Sequence, residues 1–368
     1  MKIGFISTYP PIECGIATYS EYLIKELEKL VDNIYIVSEY GANGRNVYPV
    51  YNSQDPDLAH KIFSTMIKFH PDIVHIQHEF GLYGLHRGVN IIPLIYKFKL
   101  SRIPVVVTLH TIYDEFSFEN KTIVEAILRI SDGVIVHEDY QKESIFKNIG
   151  KFKNIHIIPH GVRQVEFIKD TKEKINLEGK KVILLMGFFR PGKNFEQIIR
   201  IFPQINKKTP ESMLVVAGDA RLGEHSDYMD MLVKLINESE TRESIMFIRG
   251  KFSQEKYDEI VCCADVAPLP YKITAQSGVM AHFLAFGIPL VTSDLTVFTE
   301  KIKKFNFGFI CRTDEEFVEN IIKLLEDCNL RRKISSSIKE YVNNNLLWEI
   351  IAEKTFKLYK NIARMQSI

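Results

Sequence analysis

A chain of 368 residues exceeds what one ordinary hydrophobic core holds and implies roughly two or three domains, and 46% hydrophobic with 25% charged residues excludes a disordered chain. A formal charge of +1, with 17 Lys/Arg against 18 Asp/Glu up to residue 165, excludes a basic nucleic-acid platform in either half. Five scattered cysteines without a CxxC pair, no leader before the first strand and no apolar run of membrane-spanning length point to reduced thiols and the cytoplasm.

Short β-branched runs alternate with segments of helical period from the start. Strands are predicted over Ile3–Ile6, Ile34–Val37, Ile73–Ile76, Val105–Leu109, Gly133–Val136 and His156–Ile158, with helices over Thr18–Leu30 and Leu58–Phe69. Such alternation builds βαβ units on a parallel sheet. The island Lys97–Arg102 reads first as a solvated helix end before the strand at Pro104, and only second as charge offered to anionic lipid head groups. The charged, strandless stretch Arg163–Gly179 reads as the interdomain linker and its short helix. A second strand series, Val182–Met186, Met213–Ala217, Ser244–Ile248, Val266–Leu269 and Pro289–Thr292, predicts a second doubly wound sheet. Leu346–Tyr359 carries apolar residues at helical spacing. The domains are therefore 1–163 and 164–345, followed by a terminal helix within 346–368.

The chemistry concentrates at the predicted strand ends. Arg190 and Lys193 follow the strand Val182–Met186, and Ser277-Gly278 stands between another strand and a helix running to Phe286. Carboxyl ends of strands are where open α/β sheets bind ligands, and a glycine before a helix lets amides approach an anion. Fixed cations from one loop and amides from another suit a leaving group that carries two phosphates. In the first half, His78 and Glu79 follow the strand at Ile73 and are placed to meet acceptor hydroxyls, while His110 follows the next strand. Asp55-Pro-Asp57 matches a DxD metal pattern by letter only, in a polar loop, and no metal site is assigned.

Together with Ile158-Pro-His-Gly-Val162 and the late Trp348, these segments resemble the retaining GT-B glycosyltransferases of family 4 (glycosyl transferase group 1) over essentially the whole chain. The resemblance implies an α/β fold of two Rossmann-like domains facing a cleft, the first on the acceptor side and the second binding the nucleotide sugar, with the terminal helix crossing back to the first. It places Gly15 under the donor phosphate, His110 beside the donor sugar, Arg249 and Lys251 near the base, and Tyr9 on the acceptor side. It implies transfer of a hexosyl group from a UDP- or GDP-hexose to a glycan, lipid-linked or small-molecule hydroxyl, without cofactor or metal. Weak contact with the inner membrane face follows from relatives that use lipid acceptors.

Two departures stand out. The family's clamp arginine aligns with Phe188, and Arg190, two residues on along an extended chain, replaces it. The two glutamates the family spaces eight residues apart align with Thr274 and His282. Thr274 retains a hydroxyl for the sugar and His282 a ring nitrogen for the ribose, while Gln276, Ser277, Gly278 and Val279 keep the amide-bearing turn. Loss of both carboxylates leaves open a catalytically silent nucleotide-sugar-binding subunit, and an epimerase or phosphorylase would share the clamp.

Overall fold

The computed structural model describes residues 1–220, 225–274 and 277–365. The chain divides into two compact units, Met1–Gly161 with Asn345–Ile368, and Val162–Asn344. Both are layered α/β structures built on parallel strands.

The first unit holds a seven-stranded sheet in the order β3-β2-β1-β4-β5-β6-β7. Its strands are β1 (Lys2–Ile6), β2 (Asn33–Glu39), β3 (Val47–Tyr51), β4 (Ile73–His78), β5 (Val105–Leu109), β6 (Gly133–Val136) and β7 (Ile155–Ile157). Ile3 lies beside both Ile34 and Ile73, so the order reverses between β1 and β4. The periodicity misses β3. It is an edge strand with Pro49 inside it and an irregular register opposite Ser38 and Glu39, a setting in which the missing N–H of proline costs no ladder bond.

Helix Gly15–Leu27 begins three residues before the predicted start. Thr18 resembles an N-cap in sequence, yet its hydroxyl donates back to the Cys14 carbonyl inside the first turn. The terminal helix Trp348–Met365 packs on Gly15–Leu27 and belongs to this unit. The Trp348 indole covers Gly161 so closely that a Cβ there would lie 2.2 Å from Cδ2, and glycine is the residue that admits it.

In the second unit β8 (Lys181–Met186), β9 (Ser212–Gly218) and β10 (Ile245–Arg249) run in the order β10-β9-β8. The run β11 (Ala267–Leu269), β12 (Leu290–Ser293) and β13 (Gly308–Cys311) joins it through a parallel bridge between Ile183 and Val266. The stretch Arg163–Gly179 is not a free tether. Arg163 grips Asp258 with two bonds of 2.5 and 3.1 Å, Lys172 bonds Asp265 at 2.7 Å and Lys174 reaches Glu259 at 3.2 Å. No helix among the described residues is long and apolar enough to cross a membrane.

Candidate functional site

Three adjacent strands of the second unit, β8, β9 and β10, are each closed by a glycine at positive φ: Gly187 (112°), Gly218 (148°) and Gly250 (148°). Gly187 is the informative one. A Cβ on it would lie 2.4 Å from Lys193 Nζ and 2.9 Å from Val279 Cγ2, so the bare backbone makes room for an ammonium and for the first turn of helix Gly278–Phe286 at one point. Lys193 is 5% exposed, and its Nζ stands 5.6 Å from the Phe195 ring and 5.9 Å from the Tyr271 ring. Aromatic faces hold a cation without neutralising it.

Arg190 precedes Lys193 by one 3₁₀ turn, closed by Lys193 N–H donating to the Arg190 carbonyl at 3.0 Å. Phe189 points inward, stacked on Phe247 at 5.7 Å, and leaves Phe188 and Arg190 on the exposed side. That alternation is the one expected for an arginine displaced by two positions. The guanidinium opposes the effect of burial on Tyr271, whose phenol burial pushes up to about 12.

The Ser277 hydroxyl accepts from Met280 N–H at 3.1 Å as the N-cap, and space is open where a Gly278 Cβ would stand. Gln276 lies outside the described residues. Thr274 is half-buried, and His282 sits three positions after Val279, its ring 4.6 Å from that of Tyr257. Arg249 is exposed and lies 3.3 Å from Asp219, and Lys251 is exposed beside it.

Three residues that sequence reasoning missed tie the two loops together. Lys272 donates its N–H to the Gly192 carbonyl at 2.9 Å, and its Nζ donates to Glu196 Oε1, also at 2.9 Å. The other oxygen of Glu196 accepts from the Tyr228 hydroxyl at 2.5 Å, which itself accepts from Phe195 N–H at 3.0 Å. Burial pushes the Glu196 carboxyl up, but these bonds outweigh it and hold the carboxyl below its ordinary range. No spacing rule marks this set, because its members meet only through the fold.

In the first unit Gly15 opens its helix with nothing within 4 Å of a Cβ position. Tyr9 is half-buried, and burial, then Glu21 and Glu28, raise its phenol. Glu79 accepts from the Thr111 hydroxyl at 2.5 Å and from Phe80 N–H at 3.0 Å, yet burial still raises its carboxyl. His78, expected at the acceptor, is packed away instead. Its ring is stacked on Tyr83 and meets the edge of Phe80, and its Nε2 has no hydrogen-bond partner among the described residues. His110 is 4% exposed, with both nitrogens engaged: Nε2 lies 2.8 Å from Gln77 and Nδ1 3.4 Å from His137 Nε2. Asp55 of the DxD match is held by Lys61 and by Asp57 N–H.

Burial lowers both His75 and His78 to about 3. Each folded pKa is depressed below the unfolded value of about 6.5, so the unfolded chain takes up these protons first and stability falls as pH drops from about 6.5. Each such group removes up to roughly 1 kcal/mol per pH unit within that window, and His110, which burial also depresses, adds its share. Urea unfolding of the parent at stepped pH should show this loss, and His78→Phe should make the slope shallower by one group's share. An unchanged slope would refute the assignment.

The two halves match different family models, Glycosyltransferase Family 4 over residues 14–164 and Glycosyl transferases group 1 over residues 167–341. The alpha-monoglucosyldiacylglycerol synthase of Streptococcus pneumoniae is 23% identical, the alignment covering 96% of this chain and 83% of that protein. Among solved structures, Anabaena Alr3699/HepE in complex with UDP superposes with TM-score 0.80 at 16% identity, over 98% of this chain and 100% of its own. Sucrose-phosphate synthase from Thermosynechococcus elongatus gives 0.81 at 16% identity, over 99% and 100%. The two family models together span nearly the whole chain, and the two parallel-sheet units carry the matching fold: the chain belongs to the GT-B glycosyltransferases of the family 4 type.

Proposed function

We propose that the chain transfers a hexosyl group from a nucleotide-diphosphate sugar to a hydroxyl acceptor with retention of configuration. The observation that carries this reading is the Lys193 ammonium lodged at Gly187 against the first turn of helix Gly278–Phe286, with Arg190 one turn before it. Cations and helix-terminal amides at strand carboxyl ends suit a diphosphate, and the similar Anabaena protein was solved with UDP. Either a UDP- or a GDP-hexose fits this clamp.

In the proposed reaction the acceptor oxygen bonds the anomeric carbon on the face that the diphosphate leaves. The bond from that carbon to the phosphate oxygen breaks, and this oxygen takes the acceptor proton. Arg190, Lys193 and the amides at Gly278 and Val279 stabilise the growing charge on the leaving group. Thr274 bonds the sugar, His282 the ribose, and Arg249 with Lys251 flank the base. By the family resemblance His110 is assigned to the donor sugar, through the nitrogen that makes its long bond to His137, and Gly15 to the donor phosphate. Tyr9 and Glu79 serve the acceptor.

Because fixed cations supply the positive charge, release of nucleoside diphosphate on adding acceptor should continue unchanged in EDTA. Activity lost in EDTA and restored by Mg²⁺ or Mn²⁺ would overturn this mechanism.

Membrane contact fits the surface of the first unit. Leu100 (84% exposed) and Phe118 (81%) stand out from helices Ile91–Leu100 and Phe118–Ile130, with Lys97 and Arg102 near Leu100 in sequence. Lys99 is partly withdrawn from this set by Asp132 at 2.5 Å. Vesicles containing phosphatidylglycerol should sediment the protein, and Leu100→Ser with Phe118→Ser should abolish this. Equal sedimentation of parent and double variant would refute the contact.

A further inference from the structure

A continuous line of buried polar groups runs through the first unit: Tyr359, His75, Gln77, His110, His137 and the Ile158 carbonyl. None of these links joins near neighbours on a helix, and the line includes the one histidine assigned to the donor sugar. Its protons can be placed by counting. The Ile158 carbonyl only accepts, so His137 Nδ1, at 2.9 Å, carries a hydrogen. A neutral His137 then offers a lone pair at Nε2, and the 3.4 Å contact needs a hydrogen on His110 Nδ1.

A neutral His110 is left with a lone pair at Nε2, which requires a donor. The structure sets Gln77 Oε1 2.8 Å from that nitrogen and Gln77 Nε2 3.1 Å from His75 Nε2, an orientation in which a second acceptor would face the lone pair. An amide's nitrogen and oxygen are told apart by their bonding partners. Nitrogen toward His110 and oxygen toward His75 satisfies every group. His75 then donates from Nε2, with the Thr108 hydroxyl at 2.7 Å sharing that nitrogen, and accepts at Nδ1 from the Tyr359 hydroxyl at 2.5 Å. All donors point one way, from the terminal helix to Ile158. With Oε1 toward His110, as the amide is placed, the hydrogen of His110 sits on Nε2, and its Nδ1 lone pair then meets that of His137 Nε2 at 3.4 Å unless the pair takes up one additional proton. Burial opposes that charge, since His110 and His137 are 4% and 1% exposed and the Tyr19 ring stands perpendicular to that of His110 with the centroids 4.7 Å apart. Burial, and then the neighbouring histidines, hold His110 well below its ordinary pKa.

We propose that Gln77 is a positioning residue whose amide holds His110 as the neutral Nδ1–H tautomer, so that His110 can only donate, through Nδ1, to whatever displaces His137. This rests on the reading of the chain as a transferase for its kinetic arm alone. A sugar oxygen, as an acceptor, fits that nitrogen, and His110 is thereby excluded as a base toward the incoming hydroxyl.

Two-bond ¹⁵N–¹H correlation spectra of ¹⁵N-histidine-labelled protein read the tautomers directly. The parent should show Nδ1–H on His110 and His137 and Nε2–H on His75. In Gln77→Glu, a carboxylate that only accepts should move the His110 hydrogen to Nε2, and kcat should fall about tenfold with a smaller change in donor KM, as for loss of one hydrogen bond. Should that variant not fold, Gln77→Met should leave His110 a mixture of both tautomers. Nε2–H on His110 in the parent, or an imidazolium on His110 or His137, would overturn the assignment. An unmoved tautomer in Gln77→Glu, or a moved one with parental turnover, would overturn the role of Gln77. Absence of turnover in the parent would count against the transferase reading and leave the spectra to decide the tautomer.

Discussion

Lys193→Met should lower kcat for transfer by about 10²-fold or more, the usual cost of removing one preorganised group that stabilises leaving charge. Methionine keeps most of the volume packed against Phe195 and Tyr271 and removes only the ammonium. The fold should therefore persist, with an unchanged circular dichroism spectrum. Arg190→Ala should cost less, about tenfold, because its guanidinium is exposed and the lost interaction is one charged hydrogen bond at the low end of its usual strength. Gly187→Ala supplies the complementary result. It leaves both cations in the sequence but puts a methyl 2.4 Å from the ammonium at a φ of 112°, and transfer should fall although no charge was deleted. Steady-state rates and nucleoside-diphosphate titration of the three variants check this. Parental rates in Lys193→Met would remove the clamp from the mechanism.

Trp348→Ala should destabilise the first unit by about 3–5 kcal/mol, as truncation of a large buried aromatic does. The indole lies on Gly161, meets the edge of Tyr19 at 5.0 Å and stacks on Tyr22 at 5.9 Å, so its loss unpins the terminal helix from Gly15–Leu27. Gly161→Ala attacks the same contact from the other side, its Cβ landing 2.2 Å from Cδ2. The double variant should then cost less than the two single changes added together, because the alanine at 161 fills space that the indole vacates. Denaturant unfolding followed by circular dichroism measures all three. Additive costs would mean that the two residues do not meet.

The alternation of β-branched runs with helical segments makes most strands legible, since parallel strands buried on both faces need continuous apolar runs. Strands β3 and β13 escape for a physical reason. Val47–Tyr51 contains a proline and is half-exposed, and Gly308–Cys311 is short and opens on glycine. The relation between Phe188 and Arg190 is readable because extended backbone alternates sides, and the structure places Phe189 inward between them. The Lys272–Glu196–Tyr228 set and the Gln77–His110 bond are not readable. Their partners are 32 to 76 positions apart and belong to no spacing pattern. His78 shows the opposite failure: a histidine at a strand's carboxyl end looks available, but Tyr83 and Phe80 fold over it.

The most direct test of the account is a proton NMR time course of the purified chain with UDP-glucose or a GDP-hexose and a panel of sugar, glycolipid and polyol acceptors. One donor should be consumed only when its acceptor is present, with the first product carrying the donor's anomeric configuration and with Lys193→Met slow under the same conditions. A first product of inverted configuration, or transfer equally fast in Lys193→Met, would contradict it.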